Sequence, residues 1–195
     1  MKTIRLIATF FVVFAGMNNV YAKDISQGTI EIGGDSTLSI SSSKSTVKGF
    51  SGSEDSDDVS LSLIALYYVA PNVGVGVFWN NEQSKTDDGF NSFKFNANIL
   101  GPMAGYNMSI GATSSIRFFA GIILLGDYES KSDGTTLSKG DLSGHVLGAE
   151  LKNFLTESVS VNVGINIATI EDDEDGGNKT ETDSTDLTLG LSVYF

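Results

Sequence analysis

The 195-residue chain has no cysteine, which excludes a disulfide framework, a thiolate metal site and a cysteine nucleophile. Proline occurs twice, at Pro71 and Pro102, and histidine once, at His145. No apolar run is long enough to cross a membrane as a helix: the longest, Leu6 to Ala15, has half of the roughly 20 residues a span needs. Basic residues are scarce, 12 Lys and Arg against 24 Asp and Glu, so the formal net charge is −12. Such acidity argues against nucleic acid as a partner.

What is present begins with a leader. Lys2 and Arg5 precede the apolar run, and Val20-Tyr21-Ala22 sets small residues around a cleavage point, so residues 1–22 read as a secretory signal peptide. No cysteine follows it, so no lipoprotein anchor is expected, and residues 23–195 read as one domain. Without the leader's two basic residues the formal charge is −14. Mean hydropathy is close to neutral, as expected when each strand carries one apolar and one polar face.

The last ten residues show that pattern most plainly. Leu187, Leu189, Leu191, Val193 and Phe195 fall on one parity, and Thr188, Gly190, Ser192 and Tyr194 on the other, the period of a strand with a single apolar face. An apolar strand of this kind is a poor open edge for a soluble sheet. Similar alternation predicts strands over 29–40, 59–69, 73–80, 92–99, 115–127, 140–152 and 159–168, close to the length of a tilted transmembrane strand. Short turns are expected at 70–72, 107–114 and 153–157, and long polar loops at 41–58, 81–91, 128–138 and 171–183. Gly101-Pro102 is expected to bulge or end its strand, because proline has no N–H to donate to a ladder. Tyr68 to Gly76 faintly matches Phe154 to Asn162: an aromatic, a short polar turn and a new alternating strand recur.

The terminal LTLGLSVYF, these two hairpin turns and the alternation of short turns with long loops resemble the small eight-stranded outer-membrane barrels of the OmpA/OmpX type. The resemblance implies an all-β, antiparallel up-and-down transmembrane β-barrel in the bacterial outer membrane, with periplasmic termini and turns and outward-facing loops. It implies contact with outer-membrane lipid and lipopolysaccharide, and delivery by the barrel-assembly machinery, with Leu189, Leu191, Val193, Tyr194 and Phe195 as the assembly signal. A monomer is expected, and no peptidoglycan-binding domain after Phe195. Physical reasoning agrees, because only a closed barrel satisfies every backbone group in hydrocarbon. Eight strands leave an interior just wide enough for side chains.

A charge facing lipid near the midplane costs about 2–4 kcal/mol, so strand parity assigns Glu31, Asp35, Lys94, Arg117 and Glu150 to the lumen. A buried charge needs a partner, and Arg117 is expected to bridge to Glu31 or Glu150. The register that keeps Glu150 inside turns His145, Leu147, Ala149 and Leu151 outward. The lumen is also expected to hold Ile64, Leu66, Phe78, Leu100, Phe119, Ile123 and Leu125. These side chains fill the core, or else line a narrow slot for apolar solutes in barrels similar to OmpW. Aromatic girdles are expected from Trp79, Phe93 and Tyr128 at the loop end and from Tyr67, Tyr106, Phe154, Tyr194 and Phe195 at the turn end.

Little points to chemistry. A lipid A-modifying enzyme would need a histidine paired with a serine and an acid; Ser143 and Asp141 lie near His145, but as composition rather than a triad. Glu171, Asp173, Asp175 and Gly176 superficially follow a calcium loop, yet Thr182 stands where its bidentate glutamate belongs. Weak divalent binding is compatible with such loops, a dedicated metal site is not, and no cofactor is expected. The sequence thus favours a structural or surface-interaction role carried by the four loops, over a narrow solute passage and, more remotely, an enzyme. A soluble calycin-like barrel is the rival fold.

Overall fold

The computed structural model describes residues 25–38, 55–87, 92–174 and 179–195; the expected leader lies outside them. They form nine strands: β1 (Ile30–Leu38), β2 (Asp55–Ala70), β3 (Val73–Asp87), β4 (Ser92–Ser109), β5 (Ser114–Ile123), β6 (Leu125–Ser132), β7 (Thr135–Thr156), β8 (Val159–Glu174) and β9 (Lys179–Tyr194). Chain neighbours pair antiparallel, except that β5 and β6 do not pair with each other but both lie between β4 and β7, as two halves of one stave. Pairing of β1 with β9 joins the first stave to the last, so eight staves form a closed ring. The seam is stitched to its end: Ile30 and Phe195 exchange backbone hydrogen bonds of 3.1 and 2.9 Å. Closure leaves no unpaired edge along the ring, which an apolar strand beside lipid requires.

The irregularity expected at Gly101-Pro102 exists, but on the neighbouring stave. β4 runs unbroken through both residues. Opposite them, Gly121 pairs with Met103 and Leu125 with Leu100, so three residues, Ile122 to Leu124, face two. Pro102 offers no donor there, and the bulge brings the Ile122 carbonyl to 1.8 Å from where a Cβ on Gly101 would lie. The bulge also resets parity. Ile123 is buried in the lumen, while Leu124 and Leu125 both face out. Leu125 is therefore an exposed wall residue, and Leu100 is one because unbroken β4 turns the parity of Lys94, Asn96, Asn98 and Leu100 outward, correcting both expected lumen positions; Ile64, Leu66, Phe78 and Ile123 are buried inside and Phe119 packs against them.

The outward parities of β1, β2, β3, β8 and β9 carry Ile30, Ile32, Leu61, Leu63, Val75, Val77, Ile165, Ile167, Leu189 and Leu191, all at least a third exposed. In water this surface would be untenable; against hydrocarbon it is the solvated face. Replacing Ile165, 49% exposed, with arginine is expected to lower the unfolding free energy of the lipid-reconstituted barrel by about 2–4 kcal/mol. Urea unfolding in bilayers measures it, and no change would mean that Ile165 lies outside the apolar belt.

Three of the four expected long loops are largely strand. β3 continues to Asp87, β6 and β7 meet at Asp133-Gly134, and β8 and β9 continue to Glu174 and back from Lys179. Asp133 and Gly134 have φ of 50° and 80°, the left-handed pair of a two-residue hairpin that Asp-Gly favours. Of the first loop, 55–58 belongs to β2 and 41–54 lies outside the described residues. Apolar alternation marks only the part of a strand that meets lipid, whereas the backbone ladder continues into water with polar side chains.

At the turn end, the two similar hairpins share a finer feature. Tyr68 and Phe154 are both buried inward, and the register shifts directly after each. Residues 25–29 cross this mouth: Ile25 donates its N–H to Asn72 Oδ1 at 2.9 Å and accepts from the Asn72 N–H at 2.9 Å. The Ile25 side chain is buried with Tyr68, Phe154 and Tyr194.

Candidate functional site

Above that apolar cap lies a layer of buried charge. Arg117 and Glu150 are Cα partners across β5 and β7, and their parity turns both inward. Arg117 reaches Glu150 Oε2 through Nη2 at 2.6 Å and, across the lumen, Glu31 Oε1 through Nη1 at 2.9 Å. Both carboxylates are thus held by one guanidinium, whose planar fork of donors suits two acceptors at once. Phe119 stacks on it, with its ring centre 5.6 Å from the guanidinium carbon.

Lys152 completes the layer. It follows Glu150 by two residues, shares its parity and is fully buried. Its ammonium donates to Glu31 Oε1, to Tyr194 OH at 3.0 Å and to Ser192 Oγ at 3.2 Å, and lies 3.8 Å from Glu150. Tyr68 donates to Glu31 Oε2 at 2.6 Å and accepts from Asn107 Nδ2 at 2.7 Å. Asn162 donates to Ser192 Oγ at 2.7 Å, and Ser160 donates to Asn162 Oδ1 at 2.8 Å. Residues from β1, β2, β4, β5, β7, β8 and β9 therefore join one connected cluster, an arrangement that costs little only when its members satisfy one another.

Five inward glycines make room for these side chains. A Cβ on Gly148 would lie 2.2 Å from the Phe119 ring, on Gly121 2.7 Å from Phe78, and on Gly33 2.8 Å from Ile64. On Gly164 it would lie 2.7 Å from Glu150 Cγ, and on Gly190 1.7 Å from Asp35 Oδ1. Asp35 is buried, directly across the seam from Gly190. Where these glycines sit, side chains from other staves occupy the space that a Cβ would take.

Of the charges assigned to the lumen from parity, Glu31, Asp35, Arg117 and Glu150 lie there, and Lys94 does not. Lys94 is exposed on the outer side of β4, while Phe95, Ala97 and Ile99 take the inner parity. Its outward cost vanishes because it stands beyond the apolar belt, where the penalty of facing lipid no longer applies. Lys152, Tyr68, Asn107, Ser160, Asn162 and Ser192 complete the cluster without having been singled out from the sequence; for Lys152 the signal was present, two residues from Glu150. The girdle also changes. Tyr67, Tyr106 and Phe195 are exposed at the turn end, but Tyr128, Phe154 and Tyr194 are buried inside.

Other expected residues fall as follows. Leu189, Leu191, Val193 and Phe195 face out, while Tyr194 points in to Lys152. His145, Ser143 and Asp141 are all exposed on the outer side of β7, two residues apart and with no hydrogen bond shown between them. Glu171, Asp173 and Thr182 lie on paired strands rather than in a loop, and Asp175 and Gly176 are outside the described residues. On the loop side of the belt, Lys131 hydrogen-bonds Glu129 and holds its carboxyl below the usual carboxylate range.

A family model described as outer membrane protein β-barrel domain matches residues 8–195. Among the solved structures similar to the chain are two small barrels. The N-terminal β-barrel domain of OprF from Pseudomonas aeruginosa is 14% identical, over 87% of this chain and 98% of that one, with a TM-score of 0.51. Neisserial surface protein A is 14% identical, over 89% and 100%, with a TM-score of 0.55. At such identity the likeness bears on the fold alone. A comparison with curated protein sequences returned no match.

Proposed function

From the premise that the chain belongs to the outer-membrane β-barrel domain family of bacteria, we propose that it is a plugged, non-conducting barrel whose work is structural or interactive. Its turns and termini face the periplasm, and its polar strand extensions and loops face outward. The observation that carries this reading is the charge network that spans the lumen: Arg117, Glu31, Glu150 and Lys152 bind one another across it, and side chains of other staves crowd five inward glycines. A hydrated path through this layer would have to break several charge-assisted hydrogen bonds at once. Ile25, Phe154 and Tyr194 close the mouth below it.

The same packing disfavours a narrow slot for apolar solutes, because Ile64, Phe78, Met103 and Ile123 meet in one buried cluster above the charges. Catalysis is not part of this reading: His145, Ser143 and Asp141 stand in a row on one strand face with no geometry of nucleophile and base. The assembly role of the last strand is supported by its outward Leu189, Leu191, Val193 and Phe195, which stay accessible along the closing seam.

Planar bilayer recording tests the plug. The refolded wild-type barrel is expected to insert without discrete conductance steps. Steps accompanying most insertions would overturn the reading in favour of a passage.

A further inference from the structure

The outer surface of β3, β4 and β6 is layered, and the register shows the layers. Trp79, Leu100 and Leu125 are successive Cα partners, forming a last apolar row. Two residues further along, Asn81 pairs with Asn98, which pairs with Asp127. Next come Gln83, Asn96 and Glu129, and then Lys85, Lys94 and Lys131. The amides form a connected patch: Asn81 Nδ2 donates to Asn98 Oδ1 at 2.7 Å and to Asn96 Oδ1 at 3.1 Å, and Gln83 Nε2 donates to Asn81 Oδ1 at 3.0 Å.

Three lysines directly opposed on adjacent strands stand about 5 Å apart at their Cα atoms. Such a row is unfavourable by itself, since like charges directly opposite destabilise a sheet. Glu129 takes part of the charge of Lys131 at 2.6 Å, and Asp57 of β2 is the Cα partner of Lys85 at the other end. Lys139 adds a fourth cation beside Glu129. The opposite side of the rim has the reverse sign, with exposed Asp141, Glu171, Asp173, Glu181 and Asp183 on β7, β8 and β9. In a chain of net charge −12, the basic face is therefore local and stands next to the membrane.

Six residues separate Leu100 from Lys94, about 20 Å along the strand and, at barrel tilt, about 15 Å of height. Flexible lysine stems reach back toward the belt.

We propose that this face binds one phosphorylated glycolipid of the outer leaflet, an inference that rests on the outward orientation of the loop end proposed above. Its acyl chains lie on the Trp79, Leu100 and Leu125 row. Its sugar hydroxyls meet the Asn81, Asn98, Asn96 and Gln83 amides, and its phosphates bridge Lys85, Lys94 and Lys131. The apolar, amide and cationic rows offer a partner to each group of such a lipid, its acyl chains, its sugar hydroxyls and the phosphates that the sugars carry, and charge complementarity selects it over a neutral one.

Trp79 is the single tryptophan and reports from within the face. The refolded full-length barrel in detergent is titrated with diphosphoryl lipid A, with its dephosphorylated form and with inorganic phosphate, following Trp79 fluorescence. Saturable binding of diphosphoryl lipid A is expected, at least ten-fold weaker for the dephosphorylated lipid and for the K85Q/K94Q/K131Q variant, whose fold is checked by heat-modifiable gel migration. Glu181→Gln on the acidic side is expected to bind as wild type does. Equal affinity of wild type and the triple variant, or of the two lipids, overturns the proposal. Saturation by inorganic phosphate at the same affinity overturns it in favour of a small-anion site. Orientation is scored separately: Leu137→Cys, in a chain without cysteine, is expected to react with an impermeant maleimide on intact cells. Failure there with lipid binding intact sinks the orientation and leaves the chemistry of the face standing.

Discussion

Replacing Arg117 with leucine is expected to cost the folded barrel about 3–5 kcal/mol, the usual penalty for stranding a buried partner. The leucine keeps the core filled, so the loss is electrostatic. Glu150 loses its 2.6 Å contact and retains only the Lys152 ammonium at 3.8 Å. Glu31 keeps Lys152 and the Tyr68 hydroxyl, which places the effect towards the lower end of the range. The double variant R117L/E150L is expected to be more stable than R117L alone, because it removes the stranded carboxylate together with its partner. Urea midpoints followed by heat-modifiable gel migration give both values. An unchanged midpoint for R117L, or a double variant weaker than the single by the full additive amount, would show that the bridge carries no net stability.

The other large effect is expected at the seam. Gly190→Val sets a Cβ where Asp35 Oδ1 would be 1.7 Å away and the Gly34 carbonyl oxygen 2.5 Å away. The carboxylate can swing aside, but Gly34 is backbone of β1, and moving it opens the pairing that joins first stave to last. The expected loss is about 3 kcal/mol or more, seen as a collapse of the heat-modifiable folded band. Removing the carboxylate with Asp35→Ala is expected to restore only part, since the contact with the Gly34 oxygen remains. Gly111→Ala serves as control, because nothing lies within 4 Å of its Cβ position; it is expected to change stability by less than about 0.5 kcal/mol. Wild-type yield of folded Gly190→Val would show that the seam has slack that the packing does not reveal.

Much of the fold was legible because lipid is an unforgiving solvent. Every strand that crosses it must present one apolar parity, and Leu187 to Phe195 or Val159 to Ile167 have no other arrangement. The charged cluster was legible for the same reason: Glu31, Arg117 and Glu150 sit within strands whose other parity was needed for lipid. Beyond the belt the rule lapses. Lys94 was misplaced because a constraint valid in hydrocarbon was applied to a residue standing in water, and the upper strands were mistaken for loops because their polar side chains carry no alternation.

Leu100 lies on unbroken β4 and shares the parity misassigned through Lys94, but Leu125 failed for a different reason. Each strand parity is read relative to its neighbours, and one extra residue reverses everything after it. Proline at 102 announced an irregularity without saying which of two paired strands would absorb it. Tyr128, Phe154 and Tyr194 were ambiguous in kind, since an aromatic near a membrane boundary serves equally at a girdle or under a cap.

The sequence by itself determined that this chain alternates and crosses lipid as strands, because alternation is a local property that survives without knowledge of partners. The tertiary structure alone decided which residues meet: that one guanidinium holds acids from β1 and β7, that Lys152 joins them, and that three lysines far apart in the chain line up on one outer face. Those facts depend on register and closure, which set the distance between residues of different staves and which no single strand contains.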